Sequence, residues 1–131
     1  MRVFVSCQAV DGDSCSRLIR ALRSAGVDVD HSPKNPADGH DPRWTGWYAQ
    51  GLAAAIAGRD VSVIVLDVGW DSSTWMMIEA EALFGAASAS PERRVFFWNP
   101  DGIIIRAGLR YLKDELPQDV DDAMRAIVGT G

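Results

Sequence analysis

Glu79 and Glu81 stand two positions apart in the run DSSTWMMIEAEALFGAA, residues 71 to 87, which is apolar around them. A carboxylate held in apolar surroundings can stabilise a developing cation or bind sugar hydroxyls. At about 100° per residue, with Trp75 as origin, Ala86 falls at roughly 20°, Glu79 at roughly 40° and Leu83 at roughly 80°. Glu79 is therefore in the middle of the apolar arc of a helix. Glu81 lies roughly 160° away, beside Met77 and Phe84, where a carboxylate reaches water.

Burying a carboxylate costs several kcal/mol unless it is paired or protonated. A core-facing glutamate thus has either a structural partner, an arginine or backbone donors, or a cleft to line. The other residue types capable of chemistry are sparse. Cys7 with His31 or His40 is a superficial Cys/His pair, but no Asn or Asp is spaced to orient it. The two histidines are nine positions apart and form no metal-ligand pattern, so no metal is expected. DGDS, residues 11 to 14, lacks the length and the bidentate glutamate of a calcium loop and reads as a turn and helix cap.

The chain has 131 residues, 47% hydrophobic and 24% charged, which suits one domain spanning 1–131. A net charge of −5, with basic residues scattered, argues against a nucleic-acid or anionic-membrane surface. No apolar run approaches the roughly 18 residues that span a bilayer. Cys7 and Cys15 have neither metal-ligand nor redox-motif spacing, and MRVFVSCQ carries no secretory core. Reduced thiols and a cytoplasmic location are expected.

The elements that must position Glu79 follow from periodicity. RVFVS (2–6) is a strand, and residues 13–26 a helix through Leu18, Ile19, Leu22 and Ala25, capped by Asp13 or Ser14 and stopped by Gly26. VDVDH (27–31) is a strand whose alternating acids suit an edge. SPKNPADGHDP (32–42) is a long broken loop, and residues 43–58 resume a helix. VSVIVLD (61–67), nearly continuous in branched residues, suits a central strand covered on both faces. RVFFW (94–98) is a fourth strand, NPDG a turn, IIIR (103–106) a short fifth strand, and 118–128 a last helix entered near Pro117.

Strands alternating with helices give an α/β, flavodoxin-like three-layer fold: a five-stranded parallel sheet, order 2-1-3-4-5, with helices on both faces. Ligands bind such sheets beyond the carboxyl ends of strands 1 and 3, where the winding reverses. Those ends are Ser6-Cys7-Gln8 and Asp67-Val68-Gly69-Trp70.

This sequence resembles a Toll/interleukin-1 receptor (TIR) domain, particularly the prokaryotic TIR-like proteins. The resemblance is carried by VFVSC, by RLIRALRSAGVDVD, by AIAGRDVSVIVLD and above all by SSTWMMIE, which matches the family's Ser-x-Trp-x-x-x-Glu signature. It covers most of the chain up to about residue 98. Met76 stands where the family often has Cys, and the 32–42 loop is not the usual acidic-basic version.

The resemblance implies cleavage of NAD at the nicotinamide-ribose bond, with Glu79 in the catalytic glutamate position. NAD is then the substrate, and no cofactor is implied. A nearby carboxylate suits the oxocarbenium-like ribose left when nicotinamide departs. Ser6, Cys7 and Gln8 are candidates for contacts to ribose or phosphate, although Cys7 equally suits a small buried hydrophobe. Trp70 and Trp75 are candidates to hold a ring, Trp75 equally a core residue. The family further implies self-association through the loop 32–42. In small antiphage defence proteins of the Thoeris type, it also implies a separate effector activated by a linear or cyclic ADP-ribose product.

Two other functions fit the same residues. TIR domains also serve as non-catalytic adaptors, which associate through the loop after strand 2, and a tryptophan-rich flank suits an interface. A nucleoside deoxyribosyltransferase-like enzyme also uses a helical glutamate after a Gly/Ser/Thr-rich turn, as DSSTW before Glu79 superficially does.

Overall fold

The computed structural model describes residues 1–7, 13–31, 61–67, 83, 85, 89, 93–103 and 114–130. Their elements are β1 (Arg2–Ser6), α1 (Asp13–Ser24), β2 (Asp28–His31), β3 (Val61–Val65), β4 (Arg94–Trp98) and α2 (Val120–Val128). The four strands form one sheet in the order β2-β1-β3-β4, parallel throughout. Val3 is paired with Val29 on one side and with Val61 on the other. The architecture is α/β, as the alternation of periods indicates.

All five residues of β3 are buried, as a near-continuous branched run requires when both sheet faces are covered. Successive side chains alternate between faces. Val3, Val5 and Cys7 share one core with Val63, Val65, Phe96 and Trp98, beneath Leu18 and Leu22 of α1 and Ala123 and Ile127 of α2. Phe4, Ser6, Ile64 and Leu66 belong to the other face and are equally buried. Leu83, between β3 and β4 in the chain, is helical and 1% exposed. A right-handed crossover from β3 to β4 runs opposite in direction to that from β1 to β2, which assigns Leu83 to the face away from α1.

Local chemistry sets the helix ends. Gly26, at φ +81°, supplies the left-handed residue after α1, and Val27 donates its N–H to the Leu22 carbonyl. The second helix begins later than the proline suggests. Asp119 is its N-cap, its carboxylate accepting from the N–H groups of Asp121 and Asp122 at 3.1 Å.

Beyond β4, the expected strand 103–106 falls largely outside the described residues, and Ile103 belongs to a turn closure instead. Glu115 makes an isolated parallel bridge to Phe97: Phe97 donates to Asp114 O at 3.0 Å and Leu116 donates to Phe97 O at 2.9 Å. The residues 32–42, the helix 43–58 and the turn 68–74 lie outside the described residues.

The two cysteines are not free thiols. Cys7 and Cys15 form a disulfide, with Cα atoms 6.3 Å apart. Their separation in sequence hides this contact because the chain leaves β1 and turns back into α1, which lays the first helical turn against the strand end.

Candidate functional site at the carboxyl edge of the sheet

The winding reverses between β1 and β3, where Ser6 and Asp67 are polar residues at the strand ends. Ser6, the last residue of β1, is fully buried. Cys7 is 3% exposed and belongs to the α1-side core. The alternation of the strand therefore separates these two candidates: Ser6 belongs to the Leu66 face, and Cys7 is committed to the disulfide on the other. Gln8, Trp70, Trp75 and Glu79 lie outside the described residues. Leu83, four positions after Glu79, is buried, as expected for the apolar arc to which sequence periodicity assigns both.

A residue to which the sequence assigns no role emerges at the same edge. Asp67, two positions past β3, is partly buried, and the hydroxyl of Ser14, from the first turn of α1, favours its charged form. Burial, and then the Asp101 carboxylate, push the Asp67 carboxyl above the ordinary aspartate range, while the Ser14 hydrogen bond pulls it down. The signal available in the sequence was an acid ending the most apolar strand.

Asp101 is held in place by its turn. The Asn99 amide bonds Ile103 twice, accepting from its N–H at 2.9 Å and donating to its carbonyl at 3.0 Å. Gly102 closes the turn at φ +62°. Gln118 reaches back to donate to Pro100 O at 2.8 Å, and Trp98 Nε1 donates to Gln118 O at 3.1 Å. The turn carrying Asp101 is thus fastened both to itself and to the approach of α2.

Asp13, also in the first turn of α1, pairs with Arg17 at 3.2 Å. The edge therefore combines hydroxyls with a partly buried carboxylate, groups suited to hydrogen-bonding sugar hydroxyls. Among the described residues no group of three or more His, Cys, Asp and Glu side chains is arranged to hold a metal ion. No helix among them is long and apolar enough to cross a membrane.

The fold occurs in known structures. A crystallised TIR domain heterodimer of RPS4 and RRS1 matches with a TM-score of 0.67 at 19% identity, over 99% of this chain and 98% of that one. A 2-deoxyribosyltransferase from the psychrotolerant bacterium Bacillus psychrosaccharolyticus matches with a TM-score of 0.67 at 15% identity, over 95% of this chain and 90% of that one. The chain has a TIR-like fold. At these identities the likeness concerns architecture, and the deoxyribosyltransferase shares it equally. No protein-family model and no curated protein matches the sequence.

Proposed function

We propose that the chain cleaves an N-ribosyl bond, with NAD as substrate and Glu79 as the catalytic carboxylate. The reading is supported by one observation above all: at the edge where the strand order reverses lie Ser6 at the end of β1, Ser14 in the first turn of α1 and Asp67 just past β3. That is where α/β sheets bind nucleotides. A fold shared with a TIR domain along nearly the whole chain agrees with it.

In this reading the nicotinamide-ribose bond breaks with its electron pair passing to the positively charged pyridinium, so nicotinamide leaves neutral without needing a proton. Positive charge develops on the ribose, and Glu79 stabilises it. Water then gives ADP-ribose, whereas a nucleophile within the same molecule gives a cyclic product. Trp70 and Trp75 are assigned to ring contacts, and Ser6, Cys7 and Gln8 to the strand-end contacts, Cys7 through its backbone. The cellular role is a cytoplasmic one in bacterial antiphage defence, with self-association through residues 32–42 and a separate effector that responds to the product.

A second reading, nucleoside deoxyribosyl transfer, is favoured by Asp67 specifically. A purine or pyrimidine leaving a neutral nucleoside must gain a proton, and Asp67, a carboxyl at this edge raised above the ordinary aspartate range by burial, is the acid this reading assigns to supply it. Nicotinamide makes no such demand.

The experiment is nicotinamide release from NAD, beside base release from free nucleosides, by concentrated protein, with Glu79→Gln and Asp67→Asn as variants. NAD cleavage lost in a folded Glu79→Gln variant supports the first reading. Nucleoside cleavage that falls about 100-fold or more in Asp67→Asn supports the second. Activity on neither substrate moves the reading to a non-catalytic adaptor.

A further inference from the structure

The backbone groups of successive strand residues point to opposite sides of the strand. In β2, Asp28 turns toward β1, donating its N–H to Met1 O at 3.2 Å, and Asp30, two positions on and in register with Phe4, does likewise. Val29 and His31 therefore present their N–H and carbonyl groups to the other side, where β2 ends the sheet among the described residues. Side chains cover that side. Arg23, from the last turn of α1, donates from Nη2 to Val29 O at 3.4 Å. Asp30 Oδ1 accepts from the His31 N–H at 3.0 Å.

The two covered atoms are the ones that a second β2 strand would use. An antiparallel pair of β2 strands, related by a two-fold axis at Asp30, puts Val29 of each copy opposite His31 of the other. The His31 N–H of either copy would then donate to Val29 O of the other. On the axis Asp30 would face its own copy in a non-hydrogen-bonded pair, with Cα atoms about 4.5 Å apart. Like charges placed directly opposite destabilise such a pairing.

We propose that Arg23 and Asp30 guard the β2 edge against strand addition by a second copy of this chain. Arg23 occupies the acceptor, while Asp30 occupies the donor and also repels its own image. A sheet edge that shows open backbone groups is a template for another chain, and charged side chains on the edge blunt it. Asp28, the other acid of this four-residue strand, is engaged by Arg2 at 3.3 Å. The guard directs any self-association to other surfaces. It depends on neither NAD nor nucleosides being the substrate.

The test uses the full chain in three forms: the parent, Arg23→Ala with Asp30→Thr, and that pair with His31→Pro added. Sedimentation velocity over a concentration series reads association, far-UV circular dichroism follows the fold, and amide hydrogen exchange maps the contact. The double variant is expected to associate on the order of ten-fold more tightly than the parent. Its Val29 and His31 amides should exchange more slowly as concentration rises. Adding His31→Pro removes the outward donor and spares the ladder to β1, so association should return to the level of the parent. If that third form does not fold, the exchange of the double variant decides. The proposal is overturned if the double variant associates no more tightly than the parent. It is equally overturned if association tightens without slower exchange at Val29 and His31, or persists in a folded His31→Pro form, since the new contact would then lie elsewhere.

Discussion

The side chain of Asn99 clasps Ile103 by both ends of its amide, at 2.9 and 3.0 Å, and so fixes the turn that carries Asp101 toward Asp67. Asn99→Ala removes both bonds and should cost about 1–3 kcal/mol, read from urea denaturation. If the clasp positions Asp101, the same variant should also let Asp67 ionise at lower pH. Asn99→Asp keeps the acceptor for the Ile103 N–H and loses the donor, so its effect should be smaller.

Asp67 should make stability fall as pH rises. Its folded-state carboxyl is raised above the ordinary aspartate value, so the native state binds more protons than the unfolded state between the two values. This contribution is favourable below the unfolded value and is lost as pH rises through the folded one. Asp67→Asn should therefore be more stable than the parent at neutral pH, with the advantage vanishing in acid. Thermal unfolding across pH checks this; an advantage that grows in acid would refute it.

Trp98 is fully buried and also donates its indole N–H to Gln118 O. Trp98→Ala should cost about 3–5 kcal/mol. Trp98→Phe should lose less apolar packing but leave the Gln118 carbonyl without that donor, and calorimetry should place it between the parent and Trp98→Ala.

Asp119 caps α2 by accepting from two backbone N–H groups. Asp119→Ala should lower stability by about 1 kcal/mol, whereas Asp119→Asn should be nearly neutral, both read from denaturant midpoints.

Much of this architecture is legible in the sequence because it rests on periodicity and turn chemistry. RVFFW coincides with β4, and the acidic alternation of VDVDH matches a strand that ends the described sheet order. What the sequence hides depends on contacts between distant segments. Pro117 points to the start of α2, but the competing Asp119 side chain sets it two residues later. The disulfide needs the turn from β1 into α1 to be known before the cysteine spacing has meaning. Asp67 is visible as a strand end, yet its environment comes from Ser14 and Asp101, which only the folded sheet brings near. Glu79 rests on one helical arc, for which Leu83 supplies the buried neighbour in sequence.

The place of β1 between β2 and β3 also fixes when the site can come into being. Strand β1, helix α1 and strand β2 are close in sequence and can associate while the chain is still emerging from the ribosome. Their ladder partner on the other side, Val61 to Ile64, is made only after the whole of that unit has been synthesised. Asp67 arrives directly after it. A nascent or truncated chain ending before β3 would thus carry the cysteines and Ser14 without the β3 side of this edge, so the edge is completed late, with closure of the central strand pair.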